Sequence, residues 1–310
     1  VGSRAVCQAD CSGIGYKNAQ AVININGDLA DSLHYNKTVA LIGDIGAVTE
    51  RLTAKLEKSA AAKNKSEWLA ACAAKKKEWA NYKAERYACP PLRDEAWQKP
   101  VLAQPAAIKI VADFAKQIDA AKFFDAGDVQ ANGFQIVEDD RTGDTFTEAG
   151  ASYMGFAPSA LLAGALAGKP RYGVAFCGDG SFMMNPQILI DAAEHKVRGL
   201  VVIFDNRRMA AISGLQHAQY SRDFRTNDAV AVDYVKLASA VAGVNALSGG
   251  DNAEALRAAL KSAHAHDGLS VVHVPVYCGP DERGGLGAWG EWNVGNWVED
   301  VQAAWIKQDL

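Results

Sequence analysis

No apolar run in this chain of 310 residues approaches the roughly 20 that a helix needs to span a bilayer, so a membrane-spanning segment is not expected. An excess of charge of one sign is lacking too. With 32 Lys and Arg against 36 Asp and Glu the formal net charge is −4, which makes no case for a nucleic-acid partner. The one obvious basic run, Lys75-Lys76-Lys77, sits in an Ala/Lys/Glu-rich stretch and reads as a solvated helix face. Paired Cys-x-x-Cys motifs are absent. Cys7 and Cys11 are half of a metal site at most, because no matching Cys/His pair follows at ligand spacing. Scattered, reduced cysteines suit a cytoplasmic protein, which is the location expected here. The chain opens at Val1 without methionine, and VGSRAV is neither a signal peptide nor a helix start. It reads as a strand end and its turn, so the sequence is expected to begin inside a domain. What is present, 49% hydrophobic and 22% charged residues, describes an ordinary globular protein with room for one domain and a large part of another.

Two α/β patterns flank a helical connector. Within residues 1–55, AVININ (21–26) and KTVALIGD (37–44) read as strands and IGAVTERLTAKLEKS as an amphipathic helix, the tail end of an open α/β sheet. Residues 56–99 are rich in Ala, Lys and Glu and read as helix, broken at Cys89-Pro90-Pro91. From 100 to 277 the two patterns alternate. Helices are predicted at 104–119, 155–168, 185–196, 231–242 and 251–264, and strands at 122–127, 172–177, 199–204, near Val244 and at 269–276. A Gly-rich turn region runs to Gly150, and 206–228 is a polar segment. That alternation predicts a doubly wound parallel sheet of the α/β class. Residues 278–310 combine glycines with Trp289, Trp292 and Trp297, a loop that must pack its aromatics either over a site or against another chain.

One unit of this pattern carries chemistry. VAFC leads into Gly178-Asp179-Gly180-Ser181, and LVVIF leads into Asp205-Asn206, with MNPQILIDAAEHKV as a helix between them. A strand–helix–strand unit forces a right-handed crossover and parallel strands, so Asp179 and Asn206 should emerge side by side at one edge of the sheet. A carboxylate and an amide oxygen, next to glycines that admit a ligand close to the backbone, suit a Mg²⁺ carrying a diphosphate.

GDGS followed about 25 residues beyond Gly180 by an Asx-Asn pair resembles the thiamine-diphosphate-binding motif. The wider pattern resembles enzymes of the acetolactate-synthase-like family. The resemblance implies Mg²⁺ held by Asp179, the side-chain oxygen of Asn206 and the backbone carbonyl of Arg208. Where the family has a first Asn, this chain has Asp205, which adds a negative charge beside the site. GASYMGFAPSALLAGALAGKP (150–170) resembles the family's Met–Gly stretch before a small-residue helix. It implies that Met154 props the cofactor in a bent conformation and that the Ser152 carbonyl takes the aminopyrimidine amino group; filling a core is the other reading of Met154. DAGDVQ (125–130) stands where the family presents a loop to the diphosphate, which makes Gly127, Asp128 and Gln130 candidates, and Gly180 and Ser181 should offer backbone N–H groups. Gln216 and His217 lie just past the metal loop, and a surface histidine is the plainer reading. By the same resemblance residues 1–55 are the C-terminal half of a central, Rossmann-like domain, 100–277 the diphosphate-binding domain and 278–310 a lid or interface segment.

The family's activating glutamate sits on a pyrimidine-binding domain that this sequence does not show, so no catalytic residue is assigned within the chain. The expected function is the diphosphate half of a site that makes or breaks a C–C bond next to a carbonyl, as in 2-oxo acid decarboxylation or carboligation. It would be completed by a pyrimidine-binding domain or subunit in a homo- or hetero-oligomer, a dimer or a tetramer. RRMAAISGLQ after Asn206 lacks the Gly-Met-Val-x-Gln-Trp run of acetolactate synthases. The ending GAWGEWNVGNWVEDVQAAW instead resembles the Trp-rich tail of hydrolases that open cyclic 1,2-diones in inositol breakdown. Hydrolytic C–C cleavage is therefore the alternative, and a non-catalytic, cofactor-binding scaffold is another. FAD on the central domain, near Val1–Arg4, stays undecided.

Overall fold

The computed structural model describes residues 1–2, 19–33, 38–58, 65–148, 151–227 and 230–286. Cys7, Cys11, Arg4, Trp289, Trp292 and Trp297 lie outside them. Among the described residues the chain divides into a smaller unit, Val1–Lys77 with His217–Ser221, and a larger one, Glu78–Gln216 with 222–286.

In the smaller unit β1 (Val22–Asn26) and β2 (Thr38–Ile42) pair in parallel, with a single turn of helix, α1 (Leu29–Ser32), between them and α2 (Ile45–Glu57) after. Both helices begin where a Gly-Asp pair ends a strand. Asp28 accepts the N–H groups of Ala30 and Asp31, and Asp44 accepts that of Ala47, so each aspartate satisfies donors that the first turn leaves without a partner. A long helix, α3 (Ser66–Tyr87), leads into the larger unit, where it ends before Pro90 and Pro91.

The larger unit opens with an antiparallel hairpin, β3 (Leu92–Asp94) and β4 (Lys99–Val101), in a stretch where the sequence suggested only a broken helix. Then follow α4 (Gln104–Gln117), β5 (Ala121–Phe124), α5 (Asp128–Ile136), β6 (Thr145–Thr147), α6 (Phe156–Leu166), β7 (Gly173–Gly178), α7 (Asp179–Phe182), α8 (Ile188–Glu194) and β8 (Gly199–Asp205). After β8 come α9 (Ala210–Tyr220), whose last residues belong to the smaller unit, then α10 (Tyr234–Ser239), β9 (Asn245–Ser248), α11 (Ala253–Ala265) and β10 (Leu269–Pro275). The six strands β6-β5-β7-β8-β10-β9, all parallel, form the doubly wound sheet expected. Helix α5 lies within the region read as a Gly-rich turn, and α9 within the one read as a polar loop. Both are short and carry a glycine, which weakens a periodic signal.

All seven residues of β8 are buried, as a central parallel strand with both faces covered requires. Phe124, Phe176 and Phe204 stack across β5, β7 and β8 at 4.3 and 6.0 Å in the core under α4 and α11, while Phe123, Cys177 and Ile203 face the core that holds α6 and α10. Chain order reverses between β5 and β7, where β6 turns one way and β7 the other. The C-terminal ends of those strands therefore open a crevice, the place where such sheets bind ligands. Among the described residues no helix is long and apolar enough to cross a membrane.

Candidate functional site

Four loops leave the sheet at this edge. They follow β5, β7 and β8, and the fourth precedes α6. Register pairs Gly178 of β7 with Phe204 of β8, so Asp179 and Asn206 leave adjacent parallel strands at the same edge. Asp179 is 4% exposed and Asn206 7%, while Gly180 follows within the single turn α7.

The β5 loop is shaped by Gly127, whose φ of 84° and ψ of −142° suit glycine alone, and whose Cβ, were it present, would meet no atom within 4 Å. The candidates beside it differ in where they point. The Gln130 amide reaches across the edge, donating to the Thr147 hydroxyl at 2.6 Å and accepting from the Ser152 hydroxyl at 3.3 Å. Ser152 itself sits in left-handed backbone, φ 53°. The Asp128 carboxylate accepts from Gln104 at 2.6 Å and from Asn132 at 3.1 Å, which anchors the start of α5. The loop before α6 meets the β7 loop directly: a Cβ on Gly180 would stand 3.3 Å from Met154 Cε. Met154 thus lies against the glycine of the GDG turn.

Asp125 holds these loops together, and the sequence reading passed over it. It is fully buried at the end of β5 and accepts the N–H groups of Ala126, Gly155 and Ala157 at 2.9, 3.0 and 3.0 Å. The latter two lie at the N-terminus of α6, whose own N-cap, Gly155 at φ 95°, offers no side chain. The Cys177 thiol lies 3.7 Å away, and the Ser181 hydroxyl also bonds the carboxyl. Burial pushes the Asp125 carboxyl up from 3.8, against those hydrogen bonds, which pull it down. Burial, reinforced by Asp125, raises the Cys177 thiol well above its ordinary range, so this cysteine is no nucleophile. A signal was available: Phe-Phe-Asp ends a strand in the same way as Phe-Asp-Asn at β8.

After β8 the backbone turns sharply. Asp205 Oδ1 accepts the Arg207 N–H at 3.0 Å, and Asn206 Oδ1 accepts the Arg208 N–H at 3.1 Å, with Arg207 in left-handed backbone at φ 53°. The Arg208 carbonyl takes the Ala210 N–H at 2.9 Å. Its side chain is spent on the scaffold, donating to Ser213 Oγ at 2.9 Å, to the Cys278 carbonyl at 3.0 Å and to Asp223. Burial raises the Cys278 thiol to about 11 although Arg208 pulls it down. Gln216 accepts the Phe224 N–H at 2.7 Å and His217 is exposed.

The donors fit the expected ion in kind. The Asp179 carboxylate, the Asn206 amide and the Arg208 carbonyl are all oxygen ligands, and each neutral oxygen keeps a second lone pair beyond the hydrogen bond described. Gly127 leaves open space at the adjoining strand end, where a diphosphate would need it. Among the described residues no three His, Cys, Asp and Glu side chains gather as a metal group.

Residues 125–274 match the family described as thiamine pyrophosphate enzyme, C-terminal TPP binding domain. The chain is 32% identical over 154 residues to a 3D-(3,5/4)-trihydroxycyclohexane-1,2-dione hydrolase of Lacticaseibacillus casei, a match covering 48% of this chain and 23% of that protein. It is 40% identical over 92 residues to a probable acetolactate synthase large subunit of Methanococcus aeolicus, covering 29% of this chain and 15% of that one. The chain spans about a quarter of the length of the first curated relatives it matches. Its fold resembles the thiamine diphosphate-dependent 4-hydroxybenzoylformate decarboxylase of Rhodococcus jostii RHA1, with a TM-score of 0.62 at 19% identity over 84% of this chain and 44% of that one.

Proposed function

We propose that this chain, through residues 125–274, is a thiamine pyrophosphate enzyme of the acetolactate-synthase-like family and that it holds thiamine diphosphate and Mg²⁺ at the β5–β7–β8 edge. It supplies the diphosphate half of a site that makes or breaks a C–C bond next to a carbonyl. The observation that carries this reading is the delivery of Asp179 and Asn206 from adjacent parallel strands, beside the contact of Met154 with Gly180. When bound, the cofactor supplies a nucleophilic carbon and an electron sink. The residues of the chain would bind and orient it. Asp179, Asn206 and the Arg208 carbonyl would hold the metal. Gly178 and Gly127 would let the diphosphate approach, and the N–H groups of Gly180 and Ser181 would face it. Met154 would support the bend between the rings, and the Ser152 carbonyl would accept from the pyrimidine amino group.

The activating glutamate would come from a pyrimidine-binding domain or chain. In support, α6 is apolar all round yet buries only Ala157, Pro158 and Leu161, while Leu166, Met184 and Ile190 nearby stand 64%, 59% and 60% exposed. Tested alone with a 2-oxo acid, the chain should show no turnover. It should still gain thermal stability from thiamine diphosphate with Mg²⁺, an effect lost in Asp179→Ala. No gain in the unmodified chain would overturn the reading. For the reaction, the Lacticaseibacillus casei relative favours hydrolysis of a cyclic 1,2-dione, with a 2-oxo acid decarboxylase or carboligase as the other reading. Ring opening of a cyclic dione measured against CO₂ release from pyruvate, in the completed enzyme, separates them.

A further inference from the structure

Asp205 brings a negative charge to the metal loop, and the fold answers it with one side chain. His273 stands on β10, the strand beside β8, with Pro275 opposite Asp205 in the register. Its ring reaches along the strand so that Nε2 lies 2.8 Å from Asp205 Oδ2. A carboxylate can only accept, so Nε2 carries the proton. The other oxygen, Oδ1, takes the Arg207 N–H at 3.0 Å. One carboxylate, 2% exposed, therefore ties the neighbouring strand to the turn that carries the proposed metal oxygens. The ring is itself held, with Trp97 at 5.9 Å and Tyr234 at 5.4 Å between centroids.

We propose that His273 is a positioning residue for the metal loop, acting through Asp205 to fix the turn at Arg207 and with it the aim of the Asn206 amide and the Arg208 carbonyl. The step from His273 to the metal is mechanical. Two overlapping side-chain turns, Asp205 to Arg207 and Asn206 to Arg208, bracket a residue at φ 53°, a conformation that costs free energy unless its surroundings impose it. If the Nε2 donor is removed, the carboxylate is left buried without its side-chain partner and free to rotate, and the turn it pins relaxes. Partners that orient a metal ligand from behind change metal affinity about 10- to 100-fold when removed.

The inference rests on the cofactor reading above, and its test keeps the two apart. Free Mn²⁺ is followed by electron paramagnetic resonance as it is titrated into the full chain with thiamine diphosphate present, for the unmodified protein and for His273→Leu, His273→Gln and His273→Asn. The glutamine amide reaches the position of Nε2 and the asparagine amide does not. Expected is Mn²⁺ binding weakened about 10-fold or more in His273→Leu and His273→Asn, and regained in His273→Gln. Since Gln and Asn place equal polarity in the core, the contrast between them survives even if the leucine variant does not fold. Equal affinity in the Gln and Asn variants would overturn the proposal, as would unmodified affinity in His273→Leu. Failure of the unmodified chain to take up Mn²⁺ sinks the cofactor reading itself, and the inference with it.

Discussion

Two buried aspartates end two strands of one sheet, and they are held by opposite means. Asp125, at the end of β5, is bonded mostly by main-chain donors, the N–H groups of Ala126, Gly155 and Ala157. Asp205, at the end of β8, has one main-chain donor and the His273 ring. The first arrangement depends on where the backbone runs and tolerates changes of side chain around it. The second depends on the identity of residue 273. Asp125 therefore belongs to the folding of the edge, because it caps α6 and seats the loop of Ser152 and Met154. Asp205 belongs to the placement of the turn at Arg207.

The contrast breaks most visibly on truncation. Asp125→Ala leaves three N–H groups without an acceptor in a dry site and should cost about 3–5 kcal/mol. Asp205→Ala frees one N–H and one imidazole and should cost about 1–3 kcal/mol. Chemical denaturation of the two variants ranks them, and a reversed order would remove the distinction. Amide substitution sharpens it. In Asp125→Asn the new NH₂ group must face a backbone N–H, donor against donor, for about 1–3 kcal/mol. In Asp205→Asn the oxygen keeps the Arg207 N–H, and the NH₂ group donates to His273 once the ring takes its other tautomer, so the loss should stay below about 1 kcal/mol.

Acidity gives a third handle. Because burial raises the Asp125 carboxyl above 3.8, the native state holds this proton where the unfolded chain has released it. Its contribution is fully present below 3.8 and is lost as pH rises through the native value. The stability advantage of the unmodified chain over Asp125→Asn should accordingly shrink as pH is raised from 3.8, as read by denaturation of both proteins across that range.

Legibility in the sequence followed the same divide. Five strands and most helices of the six-stranded sheet were legible because long apolar runs such as LVVIF and LSVVHVPV must be buried on both faces, and the turns between them carry glycine or proline. The sixth, β6, three residues inside the stretch read as a Gly-rich turn, was not. Met154 and Gly180 were each assigned to the cofactor by resemblance, and their contact with one another was not read from the sequence. Asp125 and His273 were not legible. Each acts through partners far along the chain, 30 and 32 residues for Asp125 and 68 for His273, and no local pattern encodes a bond across strands. The hairpin at 92–101 was missed for a related reason: three-residue strands are too short to show an alternation. Asp128 was named a candidate for the diphosphate by its place in the loop, and its hydrogen bond from Gln104, on a different helix, was not legible in the sequence.

The smallest expected effect tests the contact between the loop that Asp125 seats and the turn after β7. Gly180→Ala places a methyl 3.3 Å from Met154 Cε, the far end of a flexible thioether that can yield by a few tenths of an ångström. Stability should hardly change, because alanine also favours the helical turn at this position by about 0.5–1 kcal/mol. Displacement of Met154 should still weaken thiamine diphosphate binding about threefold, the low end for coupled neighbours. Met154→Ala removes the atom that the methyl presses on. If Met154 is the prop, Gly180→Ala should then add no further loss in the Met154→Ala background, and calorimetric titration of the four proteins measures the coupling directly. Losses that simply add would mean that Gly180 acts on the ligand by its own backbone and that Met154 only fills the core.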